Sequence, residues 1–366
     1  MLEFADYMTK QGTQKTVVVG LSGGVDSSVT AALLKQQGYF VIGVYMKNWS
    51  DDFGDYGCTW AEDVEDARKV AQVLDIPFYI WNFEKEYYSK VVEYFLKDYE
   101  AGRTPNPDIL CNSEIKFKVF LDKALDLGAD FVATGHYARV KQVGNEFQLL
   151  KGVDPAKDQS YFLYRLNQTQ LSKVIFPIGE YKKAEVREMA KKFKLPTFAK
   201  KDSQGICFIG KIDVQEFLRE HIKSKQGEIV TASGQVVGQH TGLPYYTIGQ
   251  REGIGIGGKG PYYVVAKQFD SNKLLVTNDQ NDPGLWKQNF ELTELSWTGN
   301  TPTFPLKAGV SIRYHHPDYS AQIENVSNDR LAIKFEKPQR AITPGQSAVI
   351  YDGDVLIGGG VIENVS

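Results

Sequence analysis

Residues Val17 to Ser28, which read VVVGLSGGVDSS, limit what this chain can build more than any other stretch. Val17 to Val19 form a short β-branched run of the kind that fills a buried parallel strand. The run breaks at Gly20, and a loop carrying Leu21, Gly23 and Gly24 follows. After Val25 and Asp26 the pattern turns helical, Val29-Thr30-Ala31-Ala32-Leu33-Leu34, and stops at Gly38. Strand, glycine turn and helix start together make an anion site. First-turn amides lack intrahelical acceptors, the dipole is positive there, and glycine lets a phosphate approach the backbone. Ser22, Ser27 and Ser28 add hydroxyl donors, and Asp26 can cap the helix or face a metal-bound phosphate.

The loop has neither the GxxxxGK[ST] spacing with its lysine nor the dinucleotide pattern GxGxxG. A literal GxGxxG does occur at Gly253 to Gly258, but Lys259-Gly260-Pro261 and a strand follow it instead of a helix, so it predicts a flexible loop. SGGVDS resembles the PP-loop of ATP pyrophosphatases, which split ATP into AMP and pyrophosphate while adenylating a substrate.

A chain of 366 residues is long enough for two or three domains, and 42% hydrophobic with 24% charged residues fits an ordinary soluble protein. No apolar run approaches membrane-spanning length, and the start MLEFADYMTK does not read as a signal peptide. Cys58, Cys111 and Cys207 lie far apart with no CxxC pair, which excludes a local zinc knuckle and predicts a reducing, cytoplasmic setting. No metal centre is expected, since His315-His316 has no cysteine or carboxylate cluster around it. The net charge of −3 does not mark a nucleic-acid binder, but charge is unevenly spread. Asn48 to Asp66 holds seven acids and no Lys or Arg, whereas Lys182 to Lys201 holds eight bases against Glu185 and Glu188. Such a basic run is equally a solvated helix face or an RNA-contacting stripe.

Taken in order, Phe40 to Met46 predicts a second buried strand, with Met46 at the carboxyl end where a nucleotide base would lie. Thr59 to Glu62 reads as a capping box opening a helix to Leu74, Ile76 to Phe83 as a third strand, and Glu86 to Glu100 as a helix. Thr104 to Asn112, TPNPDILCN, predicts an extended loop, with Asn112 or Ser113 capping a helix from Glu114 to Leu127. That cap would put Cys111 beside a helix N-terminus, where the dipole favours thiolate; a small buried hydrophobe is the other reading. Phe131 to Thr134 is a further strand, and Gly135-His136-Tyr137 follows at the nucleotide end of the sheet. A hairpin turning at Gly144-Asn145, the polar loop Lys157-Asp158-Gln159 and a basic helix from Lys182 to Lys194 lead to Ser203-Gln204-Gly205-Ile206-Cys207-Phe208. The expected architecture is α/β: a doubly wound parallel sheet (residues 1–211), a small mainly-β central domain (212–279) and a C-terminal β-barrel (280–366).

SGGVDS, NPDILCN, ATGHYAR, KDQSYFL and SQGICFIG in this order closely resemble the tRNA-specific 2-thiouridylases, across nearly the whole chain. Members of that family replace the oxygen at position two of the wobble uridine with sulfur, consuming ATP. The resemblance implies that Gly20, Leu21, Ser22, Gly23, Gly24, Val25, Asp26 and Ser27 hold the ATP phosphates, with Mg2+, and that Met46 and Gly135 lie near the adenosine. It implies that Asn106, Pro107 and Asp108 meet the target base, and that Lys157, Asp158 and Gln159 touch tRNA. His136, Arg313, Tyr314 and Gln346 are further candidate tRNA contacts. Cys207 would carry the persulfide, Cys111 would be its nucleophilic partner, and Cys58 matches no functional position. A persulfide-donating relay protein or a cysteine desulfurase is the implied partner. The chemistry fits these parts: adenylation turns a uracil oxygen into a good leaving group, a persulfide delivers sulfur, and a second cysteine releases it. Asp108 is the candidate acid or base at the base ring, or a turn aspartate after proline. Two rivals stay open: a PP-loop ligase acting on a small metabolite, and an ATP-sensing tRNA-binding protein without turnover.

Overall fold

In a two-sided sheet, alternate residues of a strand feed opposite cores, so a continuous apolar run fills both. The valine run does this in β1 (Thr16–Gly20), every residue of which is buried. Val17 and Val19 pack with α1 (Val25–Gln36), while Val18 belongs to the core on the other face. The computed structural model describes residues 14–49, 60–201, 214–257 and 260–366, so Cys58, Cys207 and the SQGICFIG motif lie outside the described residues.

β1 pairs in parallel with β2 (Phe40–Lys47) and with β4 (Phe131–Ala133); β3 (Phe78–Asn82) lies beyond β2. The antiparallel hairpin β5 (Ala138–Val143) and β6 (Glu146–Lys151) leaves this sheet, which β7 (Val174–Ile175) then completes beside β4. The order is β3-β2-β1-β4-β7, all parallel, as the alternation of strands and helices predicts. Chain direction reverses outward from β1, so the crevice above β1 and β4 is the switch point where such sheets take ligands. One face carries α1 and α2 (Trp60–Leu74), and α5 (Lys183–Lys192) contributes Val186 and Ala190 there. The other face carries α3 (segments Glu84–Tyr87, Tyr88–Val92 and Glu93–Glu100) and α4 (segments Pro107–Leu110, Cys111–Val119 and Phe120–Asp126). The middle segments of α3 and α4 are wide i→i+5 turns, a form that recurs at functional sites.

α6 (Val214–His221) leads into a four-stranded sheet of β8 (Gly227–Val230), β9 (Val236–His240), β10 (Tyr263–Gln268) and β11 (Lys273–Thr277), in the order β10-β11-β8-β9. β12 (Trp286–Trp297), β13 (Leu306–Ser311), β14 (Tyr319–Ser327), β15 (Arg330–Arg340), β16 (Ser347–Asp352) and β17 (Val355–Glu363) follow. β12 pairs with both β15 and β17, which closes six strands into a barrel around Phe290, Leu292, Ile323, Ile333, Phe335 and Ile350. One pairing is absent from the sequence reading: β6 joins β17 through Val355↔Leu150 and Leu356↔Leu149, welding the early hairpin to the barrel wall. Among the described residues no helix is long and apolar enough to cross a membrane.

Candidate active site

The glycine loop leaves the carboxyl end of β1 and enters α1 with Gly24 as N-cap and no side chain capping the helix, so the first-turn amides stay available to an anion. Gly23 has φ +73°, and a Cβ there would collide with the Asp63 carbonyl of α2. Ser27 Oγ accepts from the Ser22 amide at 3.2 Å, and Ser28 Oγ donates to the Gly24 carbonyl at 2.7 Å, so the serines shape the loop from within. A Cβ on Gly135 would stand 2.8 Å from the Asp26 carbonyl carbon and 2.8 Å from the Ser27 nitrogen, which makes this glycine the floor under the start of α1. Met46 meets Gly20 from the neighbouring strand. Asp26 is held twice: Tyr137 Oη donates to Oδ1 at 2.8 Å, and Lys183 Nζ lies 2.8 Å from both carboxylate oxygens.

The second part of the site is the loop Thr104 to Asp108. Its backbone is bound to the barrel: the Thr104 amide donates to the Pro344 carbonyl at 2.9 Å, and Gln346 Nε2 donates to the carbonyls of Thr104 at 2.8 Å and Pro105 at 3.3 Å. Thr104 Oγ1 and Thr247 Oγ1, 3.3 Å apart, tie it to the central region as well. Here the expected cap is corrected. Asn106 Oδ1 accepts from the amides of Asp108 at 3.2 Å and Ile109 at 3.4 Å, with Pro107 at the first helical position, so α4 begins at Pro107 and not at Glu114. Asp108 therefore sits in the first turn, and Cys111 lies one turn further in, fully buried. Asn112 and Ser113 do not cap: Asn112 Nδ2 donates back to the Asp108 carbonyl at 2.9 Å, and Ser113 Oγ to that of Leu110 at 3.4 Å. Asn112 Oδ1 is buried without a hydrogen-bond partner.

A third group faces this loop. Asp158 accepts from the Gly152 amide at 2.8 Å and from Ser160 Oγ at 2.8 Å, and burial still pushes its carboxyl above the usual range. Gln159 exchanges hydrogen bonds with the Tyr137 backbone, at 2.9 and 3.1 Å, and the Lys157 amide closes a turn on Asp154. Tyr314 packs on Phe162 with ring centroids 4.4 Å apart; burial, then the carboxylates of Asp158 and Asp108, push its hydroxyl up to about 12. Tyr314, Asp108 and Asp158 thus share one electrostatic neighbourhood. Beside them Arg313 Nη1 donates to the Arg340 carbonyl at 3.0 Å, and the Arg340 guanidinium stands 4.8 Å from the Tyr263 ring centre. Burial and the Arg340 charge both lower the Arg313 pKa.

His136 is buried, with Nδ1 2.7 Å from Thr134 Oγ1 and its ring 5.8 Å from those of Phe117 and Phe176. Burial, with Lys116 adding to it, holds its pKa well below 6.5, and burial with Arg313 brings His316 down to about 4. The unfolded chain takes up both protons near pH 6.5 while the folded protein stays neutral at these rings. Stability is therefore complete above pH 6.5 and falls as the pH drops towards 4, by up to about 1.4 kcal/mol per pH unit for each ring. Urea midpoints measured from pH 7 to 5 should fall steadily, and His316→Asn should flatten the trend; an unchanged midpoint contradicts the assignment.

The sequence places Tyr137 at the nucleotide end of the sheet but assigns no role to it, nor to Lys183, Thr247 or Arg340. Lys183 stands in the basic run, but no local spacing links it to Asp26. The run is also less free than its charge suggests. Lys200 lies 2.7 Å from both Asp63 and Asp66, Lys191 pairs with Glu188 at 2.7 Å, and Arg187 donates to the carbonyls of Phe198 and Lys200.

Comparison with known proteins places these parts. Residues 15–211 match the model of the tRNA methyl transferase HUP domain, 215–278 that of the tRNA methyl transferase PRC-barrel domain, and 287–362 that of the aminomethyltransferase beta-barrel domain. The tRNA-specific 2-thiouridylase MnmA of Halalkalibacterium halodurans is 51% identical over 358 residues, 97% of this chain and 96% of the relative. That of Shouchella clausii is 52% identical over 359 residues (97% and 98%), and that of Nitrosomonas eutropha 53% over 354 residues (94% and 98%). With a likeness of this depth running from one end to the other, the chain belongs to the tRNA-specific 2-thiouridylase family.

Proposed function

We propose that this protein is an ATP-dependent sulfurtransferase that converts the wobble uridine of tRNA to 2-thiouridine in the cytoplasm, releasing AMP and pyrophosphate. The observation that carries the reading is the full-length identity of about half to proteins named for that reaction. The uncapped start of α1 supports an ATP site at Gly20 to Ser27, with Met46 and Gly135 beside the nucleoside. Mg2+ would be held through Asp26 and would offset the phosphate charge.

In this reading the uridine O2 attacks the α-phosphorus, pyrophosphate departs, and the C2 carbon becomes open to a sulfur nucleophile. Asn106, Pro107 and Asp108 would receive the base after it leaves its stack, which costs least in a single-stranded anticodon loop. Asp108 would move the proton at the ring. Cys207 would bring a persulfide, supplied by a relay protein or a cysteine desulfurase, and Cys111 would free its outer sulfur. Release proceeds either as hydrosulfide or by attack on a mixed disulfide at C2; both routes join Cys111 to Cys207 and need an external reductant to reset. Lys157, Asp158, Gln159, Arg313, Tyr314 and Gln346 would frame the anticodon loop, with His136 beneath. The domain assignment that goes with this reading is catalysis in 1–211, a central connector in 212–279 and tRNA binding by 280–366. Mass spectrometry of the nucleosides after incubation with tRNA, ATP and a persulfide source tests it; unmodified uridine at the wobble position would refute it. Pyrophosphate release that does not depend on tRNA would favour a small-molecule ligase.

The arginine pair gives a separate expectation. Among the described residues neither Arg313 nor Arg340 forms a salt bridge to a carboxylate, and their mutual repulsion is relieved by an anion such as an RNA phosphate. Arg313→Ala should weaken tRNA binding and reduce the slope of log K against log salt by about 0.7 for each phosphate that is no longer neutralised. Filter binding between 50 and 300 mM salt, roughly the range over which counterion release is read, measures this. An unchanged slope counts against the assignment of Arg313 to a phosphate.

A further inference from the structure

A carboxylate inside an anion-binding loop is a contradiction unless something offsets it. Asp26 lies in the first turn of α1, where its charge repels any phosphate brought to the helix amides. The structure answers with Lys183, 157 residues away in sequence, whose ammonium sits 2.8 Å from each oxygen of Asp26. Its approach is built in. Lys183 opens α5, its backbone amide donates to Asp154 Oδ2 at 2.9 Å, and its ammonium lies 5.7 Å from the Tyr137 ring centre. Tyr137 in turn donates its hydroxyl to the same carboxylate. The side chain of Lys183 is only 12% exposed, against 31% for Asp26, so the ammonium is held inside the loop and not out in solvent.

We propose that Lys183 is a phosphate-binding residue of the ATP site, parked on Asp26 and Tyr137 until a polyphosphate arrives and then bonded to its β- or γ-phosphate oxygens. The proposal rests on the reading of the glycine loop as the ATP site and adds a residue to it. Asp26 takes two roles in turn, as counter-ion to Lys183 and then as the carboxylate facing the metal-bound phosphates. When the α-phosphorus bond to the bridging oxygen breaks, its electron pair leaves with pyrophosphate, and the Lys183 ammonium is the cation placed to stabilise that charge.

Isothermal titration of the full-length protein with pyrophosphate in EDTA, and separately with a non-hydrolysable ATP analogue and Mg2+, tests this. Lys183→Met should weaken metal-free pyrophosphate by about thirtyfold, since it removes a charge-assisted hydrogen bond, and Lys183→Arg should recover part of it. Asp26→Asn should act in the opposite direction, tightening metal-free pyrophosphate by about tenfold because the competing carboxylate is gone. The double variant should bind between the two single variants, because the bond from Lys183 and the repulsion from Asp26 are lost together. A gain in affinity cannot arise from misfolding, so the Asp26→Asn arm stands even where Lys183→Met is unstable. If Asp26→Asn weakens pyrophosphate, or Lys183→Met binds it as the unaltered protein does, Lys183 is only a structural partner of Asp26 and the proposal falls. Should the unaltered protein bind neither pyrophosphate nor the analogue, the ATP reading of the loop fails first and takes the proposal with it.

Discussion

Cys111→Ser is expected to abolish sulfur incorporation, lowering it by about 10³-fold or more, while tRNA-dependent pyrophosphate release continues. A serine hydroxyl remains protonated at neutral pH and cannot enter thiol–disulfide exchange, so the adenylated base would form and then wait. The split between the two readouts matters because Cys111 is fully buried in the core beneath the loop Thr104 to Asp108. A variant that merely loosened α4 would lose both activities together. Serine is nearly isosteric, and inside α4 its hydroxyl can bond a carbonyl one turn back, so the expected loss of stability is about 1 to 2 kcal/mol. Thiolation of tRNA by Cys111→Ser at near the normal rate would end the proposed mechanism.

The second large effect belongs to Gly135→Ala. Its Cβ would stand 2.8 Å from the backbone at Asp26 and Ser27, tighter than such atoms approach, with no flexible side-chain end to move aside. The start of α1 would have to shift, carrying the first-turn amides and Asp26 away from Tyr137 and Lys183. We expect a rise of about 2 to 3 kcal/mol in the adenylation barrier, on the order of 100-fold in rate, from the misplacement of a preorganised anion site. Binding of tRNA, for which the arginine pair is proposed, should be nearly unchanged. Pyrophosphate release at saturating tRNA reads the first quantity and filter binding the second. Full adenylation by Gly135→Ala would show that this glycine is not the floor of the site.

What the sequence displayed well was local. The valine run, the helix to Gly38 and the strand from Phe40 depend on neighbours a few positions away, and each is found where the pattern puts it. Other features were present but misread. An asparagine followed by proline is a helix-start signal, yet two prolines close together suggest an extended loop, and the expected start at Glu114 falls about two turns after the observed one at Pro107. The pairing of Lys183 with Asp26 had no local signature at all, because the lysine stood among seven other bases and its partner lay on another element. Gln346 shows the same distance in reverse. Resemblance alone pointed to it, and the structure supplies a physical role, since its amide fixes the carbonyls of Thr104 and Pro105.

The strand pair between β6 and β17 has a practical consequence. A protein cut after residue 279 would keep the hairpin but lose the strand that covers its outer edge, and a bare edge of this kind recruits other chains. Such a fragment should be sticky in isolation, whatever the soundness of its own parallel sheet. Testing the proposed division between chemistry and RNA recognition by dissection is therefore a poor route for this molecule. Point changes on the barrel rim leave the seam closed and are the cleaner instrument.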